Sequence, residues 1–388
     1  MIFKFKTEET GIGFDFDVEF EQNQKINCII GKNGIGKTQL LENMAKTLIY
    51  THSIFSKEEK YKYNNLFSQK KISEKIKDFE LKLPVGINVN NNQIKNNTKH
   101  KWGYTSFDLI SSNRDNSFIC DKPIVFIGAK NRGFTKNIDP DNIKILSNSQ
   151  GRFVESITRT MSYIDGVGLE HEEIANWFVA RLIVNPSFVR NDENKSNEVI
   201  TVLRLIDKLE PTLNLITDKG LKVIFDNGAL LINGILLDKL STGFISIVKI
   251  FQEIVAGYGG WGNQNDLSQV DGIVFIDEIE PHLHISWQTK IINILKEFFP
   301  KTTFYITTHS PLVLSGLKDG EAYELYQDDK FVKTKKIKNI DNYFLSDMIN
   351  EFFGVDLNKE KIDNPNMEKQ KKAKDMLLNL AKNIQEED

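Results

Sequence analysis

The stretch from Ile26 to Tyr50 constrains the fold of this chain more than any other. INCII at 26–30 is a short apolar run of the kind that forms a strand buried on both faces. GKNGIGKT at 31–38 follows it. QLLENMAKTLIY then places Leu40, Leu41, Met44 and Leu48 on one helical face. The loop fills every fixed position of the pattern G-x-x-x-x-G-K-[S/T]. Strand, glycine loop and helix in that order predict an α/β fold whose phosphate cradle sits between strand and helix. Gly31, Gly34 and Gly36 let the backbone curl, so that amides along Gly31, Lys32, Asn33, Gly34, Ile35 and Gly36 converge as an anion nest. A helix starting near Lys37 adds its positive end. Lys37 offers a point charge to β- and γ-phosphates, and the Thr38 hydroxyl offers a ligand to Mg²⁺. The expected ligand is ATP with Mg²⁺.

GIVFIDEIEPHLH at 272–284 is a second apolar run, ending in carboxylates. Ligands of parallel sheets gather at the carboxyl ends of the strands. Asp277 is placed there to hold Mg²⁺ through water, and Glu278 to polarise an attacking water. Neighbouring side chains at a strand end point in different directions, so the two acids can take separate tasks. His282 and His284 beside a helix start do not amount to a zinc site.

Two further segments narrow the class. LSTGFISIVKI at 240–250 puts Leu-Ser-x-Gly at the start of a helix. Ser241, the backbone at Gly243 and the helix end form a candidate second anion site, suited to the γ-phosphate of ATP held by another copy. A plain N-cap role for Ser241 is the alternative. FYITTHSPLVL at 304–314 runs a strand into His309, expected beside the strand that carries Asp277. There His309 could hydrogen-bond the γ-phosphate or the attacking water.

The order of P-loop, LSxG, acidic strand and TTHSP resembles the ABC-type ATPases. IDEIEPHLHISWQ with YITTHSPLVLS is similar, more narrowly, to the RecF-like and OLD-like cytoplasmic AAA-family ATPases of bacteria. That group includes ATPase subunits of phage-defence systems of the Septu, retron-associated and PARIS types. The resemblance covers roughly 1–50 and 220–320. It implies a P-loop NTPase of ABC-ATPase type, with a mixed sheet, antiparallel N-terminal strands and a helical insertion. It also implies two copies docked head to tail around ATP. By this resemblance Lys37 and Thr38 are Walker A, Asp277 is Walker B, Glu278 is the catalytic carboxylate and His309 the switch residue. The chain departs from the pattern in two places. No glutamine marks a Q-loop, whose region the strand at 124–128 with Lys130 to Arg132 would occupy. Phe244 stands where the signature glycine is usually followed by Glu or Gln.

The remaining sequence predicts the organisation. Residues 2–6 and 14–20 alternate as antiparallel strands, with Phe14, Phe16, Val18 and Phe20 on one face. Residues 51–219 read as an inserted, largely helical lobe: an exposed, Lys/Glu-rich helix at 57–80, an Asn-rich mobile surface loop at 88–99, a strand near 123–128, and helices over 150–210 with breaks near Gly166–Gly168 and Pro186. A hairpin with its turn at Asn227-Gly228 covers 221–237. A helix is expected at about 285–298, and 321–388 as a small hairpin followed by helices. In the tail, Phe344, Met348, Ile349, Phe352 and Phe353 recur at helical spacing, as in core or subunit packing.

Charge separates the functional readings. The 50 basic and 53 acidic side chains give a net charge of −3, so nucleic-acid binding would need a local basic patch. Lys57, Lys60, Lys62, Lys70, Lys71, Lys75, Lys77 and again Lys369, Lys371, Lys372 and Lys374 are candidates. Interleaved Glu58, Glu59, Glu74 and Glu80 make the first set read as a solvated face. The leading expectation is a homodimeric or higher-oligomeric ATPase, the sensor or scaffold of an anti-phage system that controls a separately encoded effector protein such as a nuclease. A RecF-like repair ATPase on duplex DNA is the alternative, and a transporter energy subunit is a weaker one. Only Cys28 and Cys120 are present, and neither a signal peptide nor a long apolar span is evident, so a cytoplasmic location and no membrane are expected.

Overall fold

In the computed structural model, residues 1–8, 15–52, 86–94, 118–130, 174–182, 196–226, 229–260 and 266–353 are described, with isolated positions between 132 and 160. Alternating residues form β1 (Lys4–Glu8) and β2 (Asp15–Glu19), which bury Phe5, Phe16 and Val18. INCII is β3 (Ile26–Ile30), buried at every position, and α1 (Lys37–Tyr50) follows the glycine loop. Next come β4 (Gly86–Val89), β5 (Asn92–Ile94) and the wholly buried β6 (Ile124–Ile127). Helices α2 (Ile174–Leu182) and α3 (Ser196–Leu209) precede the short strands β7 (Ile216–Thr217), β8 (Gly220–Leu221), β9 (Val223–Asp226), β10 (Ala229–Ile232) and β11 (Ile235–Leu236). Then follow α4 (Thr242–Gly260), β12 (Ile273–Ile276), α5 (Ile285–Gln288), α6 (Ile291–Phe298), β13 (Thr303–Thr307), α7 (Pro311–Leu314), β14 (Ala322–Asp328), β15 (Phe331–Lys336) and α8 (Leu345–Phe353).

Ten strands make one mixed sheet in the order β5-β4-β1-β2-β15-β14-β3-β13-β12-β6. The strands from β14 to β6 run parallel to one another, β15 lies antiparallel to β14, and β1, β2, β4 and β5 pair antiparallel among themselves. The parallel half carries the continuous apolar runs, as a sheet covered on both faces requires. One face bears Ile124, Phe126, Phe275 and Tyr305, which join Leu40, Leu41, Met44 and Leu48 of α1 in the main core. Phe126, Phe275 and Tyr305 stack in sequence, with ring centroids 6.2 and 5.2 Å apart. On the other face α4 lies so close to β6 that a Cβ on Gly257 would stand 2.4 Å from Val125. The helix α4 is buried from Gly243 to Gly260, including its Lys249–Glu253 ion pair at 3.0 Å.

Several expectations change. The Asn-rich stretch is ordered where it is described: β4 and β5 form a hairpin, with Val89 opposite Asn92. Asn90 and Asn91, at φ 51° and 67°, make the two-residue turn that right-twisted strands favour. The Asn90 side chain pins this turn to the chain start, accepting from Phe3 N–H (2.9 Å) and Lys4 N–H (3.1 Å) and donating to Met1 C=O (2.8 Å). The 221–237 stretch is a three-stranded sheet, whose second turn at Asn233-Gly234 also has positive φ, while Asn227-Gly228 lies outside the described residues. The helix expected at 285–298 is two helices, α5 and α6, parted at Thr289–Lys290. The hairpin after 321 is built into the large sheet: β14 pairs with β3 and β15 with β2.

Phe14, the 57–80 helix with its lysines, Gly166, Gly168, Pro186 and the lysines at 369–374 all lie outside the described residues. The chain divides into two compact units, Met1–Asn342 and Tyr343–Asp388. In the second, α8 buries Met348 and Phe352, and Phe344 just before it is exposed. No helix among the described residues is long and apolar enough to cross a membrane.

Candidate nucleotide-binding site

β3 delivers the glycine loop to the carboxyl edge of the parallel strands. Gly31, Gly34 and Gly36 all have positive φ, and Gly36 caps α1 with no side chain. The first N–H groups of α1 are therefore left for an anion. A Cβ on Gly31 would meet the Leu325 carbonyl at 3.0 Å, so strand β14 also requires glycine there. Lys32, Asn33 and Gly34 are exposed and Ile35 half-buried, so the loop lies open along its middle. Lys37 is buried, and its ammonium donates to Gly31 C=O (2.8 Å) and Lys32 C=O (3.1 Å). Burial holds its pKa below the ordinary lysine value, against the opposing charges of Glu278, Asp277 and Glu280, in that order.

The two acidic-strand predictions and the loop meet at one point. Thr38 Oγ1 stands 3.0 Å from both carboxylate oxygens of Asp277 and donates to them. The expected neighbour relation holds: β13 lies beside β12 in parallel register, with Ile276 opposite Ile306. That register brings Thr307 level with Asp277. Thr307 Oγ1 donates to Asp277 Oδ1 (2.7 Å) and accepts from Glu278 N–H (2.7 Å). Glu278 has φ 46°, a left-handed conformation uncommon outside glycine and asparagine. Glu280 holds the other side, accepting from Thr308 Oγ1 (2.7 Å) and from His309 N–H (2.6 Å). His309 is half-buried at the end of β13, as its segment predicted.

Thr307 and Glu280 fill no position with an expected role, although both stand within TTHSP and IDEIE. Aligning the apolar cores of GIVFIDE and TFYITTH as parallel neighbours would have paired Asp277 with Thr307. Nothing comparable signals Glu280, whose contact depends on the turn made by Glu278.

Ser241 and Gly243 sit apart from the loop in sequence, at the start of α4. Ser241 is exposed and accepts from Phe244 N–H at 3.2 Å, so the N-cap alternative describes a bond that exists. Gly243 packs where a Cβ would lie 2.5 Å from the His282 carbonyl, and Ser246 Oγ donates to Pro281 C=O at 3.1 Å. The helix start is thereby fixed to the turn that follows Glu278. His284 caps α5, with Nδ1 accepting from Ser286 N–H at 3.3 Å.

The donor set fits a magnesium nucleotide. A threonine hydroxyl and a carboxylate are the hard oxygen ligands that Mg²⁺ takes, and an uncapped helix end beside a lysine suits phosphate. Strand, glycine loop, helix and the Thr38–Asp277 contact together have the arrangement of a P-loop phosphate-binding site on a mixed α/β sheet.

Residues 257–315 match the family model described as AAA domain, putative AbiEii toxin, Type IV TA system. The chain is similar to Septu protein PtuA of Bacillus thuringiensis, 24% identical over 89% of this chain and 83% of that protein. It is also similar to the Retron Ec83 probable ATPase of Escherichia coli, 40% identical over 20% of this chain and 14% of that protein. Among solved structures, the SmcHead bound to the C-winged helix domain of ScpA overlays with a TM-score of 0.40 at 13% identity, covering 87% of this chain and 98% of that one.

Proposed function

We propose that this protein is a Mg²⁺-dependent ATPase whose copies close head to tail around ATP, and that it serves as the sensor or scaffold of an anti-phage defence system with a separately encoded effector. The observation that carries the ATPase reading is the meeting of Thr38 with both oxygens of Asp277, beside Lys37 and Glu278. When bound, magnesium supplies charge neutralisation for the phosphates. Thr38 and Asp277 would hold it. The loop amides and Lys37 bind and orient the phosphates, and Glu278 orients a water and takes up its proton. His309, its backbone held by Glu280, would hydrogen-bond the γ-phosphate or the attacking water. The exposed Ser241 end of α4 presents further donors to phosphates carried by a second copy.

The defence role draws on the similarity to Septu protein PtuA over most of both chains. Catalysis in such a site is positioning and charge stabilisation. Lys37→Ala is accordingly expected to abolish nucleotide binding in calorimetry. Glu278→Gln is expected to bind ATP at the wild-type level while phosphate release falls by about a hundredfold or more. Hydrolysis at the wild-type rate by Glu278→Gln would remove the assigned role. Co-purification with the product of a neighbouring gene tests the effector; a fully active ATPase with no partner and no infection phenotype would refute the defence reading.

A further inference from the structure

We propose that Arg132 is a positioning residue for Glu278, fixing the turn that aims the carboxylate at the phosphate site. The inference rests on the ATPase reading above. Arg132 is 1% exposed, and its guanidinium donates to the Glu278 carbonyl. The preceding peptide of Glu278 is held too, since its N–H donates to Thr307 Oγ1 at 2.7 Å. Both peptide groups flanking a left-handed residue are thus tied to other elements, one to β13 and one to the segment after β6. A non-glycine residue keeps such a conformation only where its surroundings over-determine it.

The segment after β6 also grips the far end of the same turn. A Cβ on Gly133 would stand 2.9 Å from the ring of His282, which itself has φ 69°. The His282 carbonyl in turn abuts Gly243 at the start of α4. Residues 278–282 are therefore wedged between the Arg132–Gly133 pair and the α4 terminus. The resemblance would put a Q-loop in this region, which holds no glutamine; a buried arginine bonded to the Glu278 backbone stands there.

The test compares Arg132→Met, Arg132→Gln and Arg132→Lys with the wild type. Three quantities are read: kcat, ATP affinity, and hydrogen exchange of the amides from Glu278 to Leu283 without nucleotide. Loss of the grip is expected to lower kcat by about tenfold to a hundredfold, the effect of misplacing a catalytic group by an ångström or so. ATP affinity is expected to stay within about twofold, because phosphate binding does not use the turn. Exchange over 278–283 speeds up while β12 is unchanged, and Arg132→Lys recovers part of kcat. In a Glu278→Gln background, Arg132→Gln adds no further loss. A folded Met or Gln variant with wild-type kcat and unchanged exchange overturns the proposal, as does a full additional loss in the Glu278→Gln background. Should both the Met and Gln variants fail to fold, Arg132→Lys decides, with unaltered kcat and exchange counting against the proposal. If the wild type does not hydrolyse ATP, the ATPase reading fails, and exchange still reports whether Arg132 holds the turn.

Discussion

Asp277 is held by hydroxyls from two other elements, α1 and β13. Thr38 and Thr307 both donate to it, and Thr307 also takes the N–H of Glu278, so one hydroxyl sets two carboxylates. Thr307→Val keeps the shape and removes both bonds, leaving the part-buried Glu278 amide without this partner at a cost of about 1 kcal/mol. The expected outcome is a lower unfolding midpoint and a kcat reduced by about tenfold, with Thr307→Ser near wild type in both assays. At this scale the motif residues were legible, because phosphate and magnesium chemistry dictates residue types at fixed spacing. Thr307, Glu280 and Arg132 were not, because their contacts come from strand register and from the left-handed turn at Glu278.

Among the elements, the end of α1 is tied to the strand region before β6 by a buried histidine. His52 Nε2 lies 3.1 Å from the Lys122 carbonyl, and His52 and Cys120 form a parallel bridge. Burial pushes the His52 pKa down to about 4, against the opposing bond to that carbonyl. The unfolded chain therefore takes the proton first. The neutral histidine's contribution is fully present above the unfolded value near 6.5 and is lost as pH falls toward 4, in total about 3 kcal/mol. Urea midpoints measured from pH 7 to 4 should fall more steeply for the wild type than for His52→Gln; parallel curves would contradict this.

Ser241 allows a similar separation of roles. As a cap alone, its loss to alanine costs about 1 kcal/mol and nothing more. Ser241→Asp keeps a capping oxygen but brings negative charge to the proposed phosphate contact. It is expected to leave the unfolding midpoint near wild type and to eliminate ATP-driven association in light scattering. Element types followed from periodicity. The asparagine-rich stretch was misread because Asn90-Asn91 forms a tight turn that holds two short strands together, whereas asparagine-rich composition by itself suggests an open loop.

For the whole molecule, the sheet joins segments far apart in the chain: β14 and β15 from 322–336 lie between β3 and β2. Pairings of that range carry no local signal, so the parallel half could be read from apolar runs while the order of the antiparallel half could not. The phosphate loop sits at the edge of β3, and Ser241 is exposed at the start of a helix whose own terminus leans on the turn after Glu278. On the proposed reading, each copy would offer one half of a site and leave the other half to its neighbour. The most direct measurement is the solution mass of Glu278→Gln with and without ATP and Mg²⁺. Closure around ATP would double the mass, or raise it by a larger multiple, with no change when Lys37→Ala is added to the same chain. An unchanged mass for a Glu278→Gln protein that demonstrably binds ATP would contradict it.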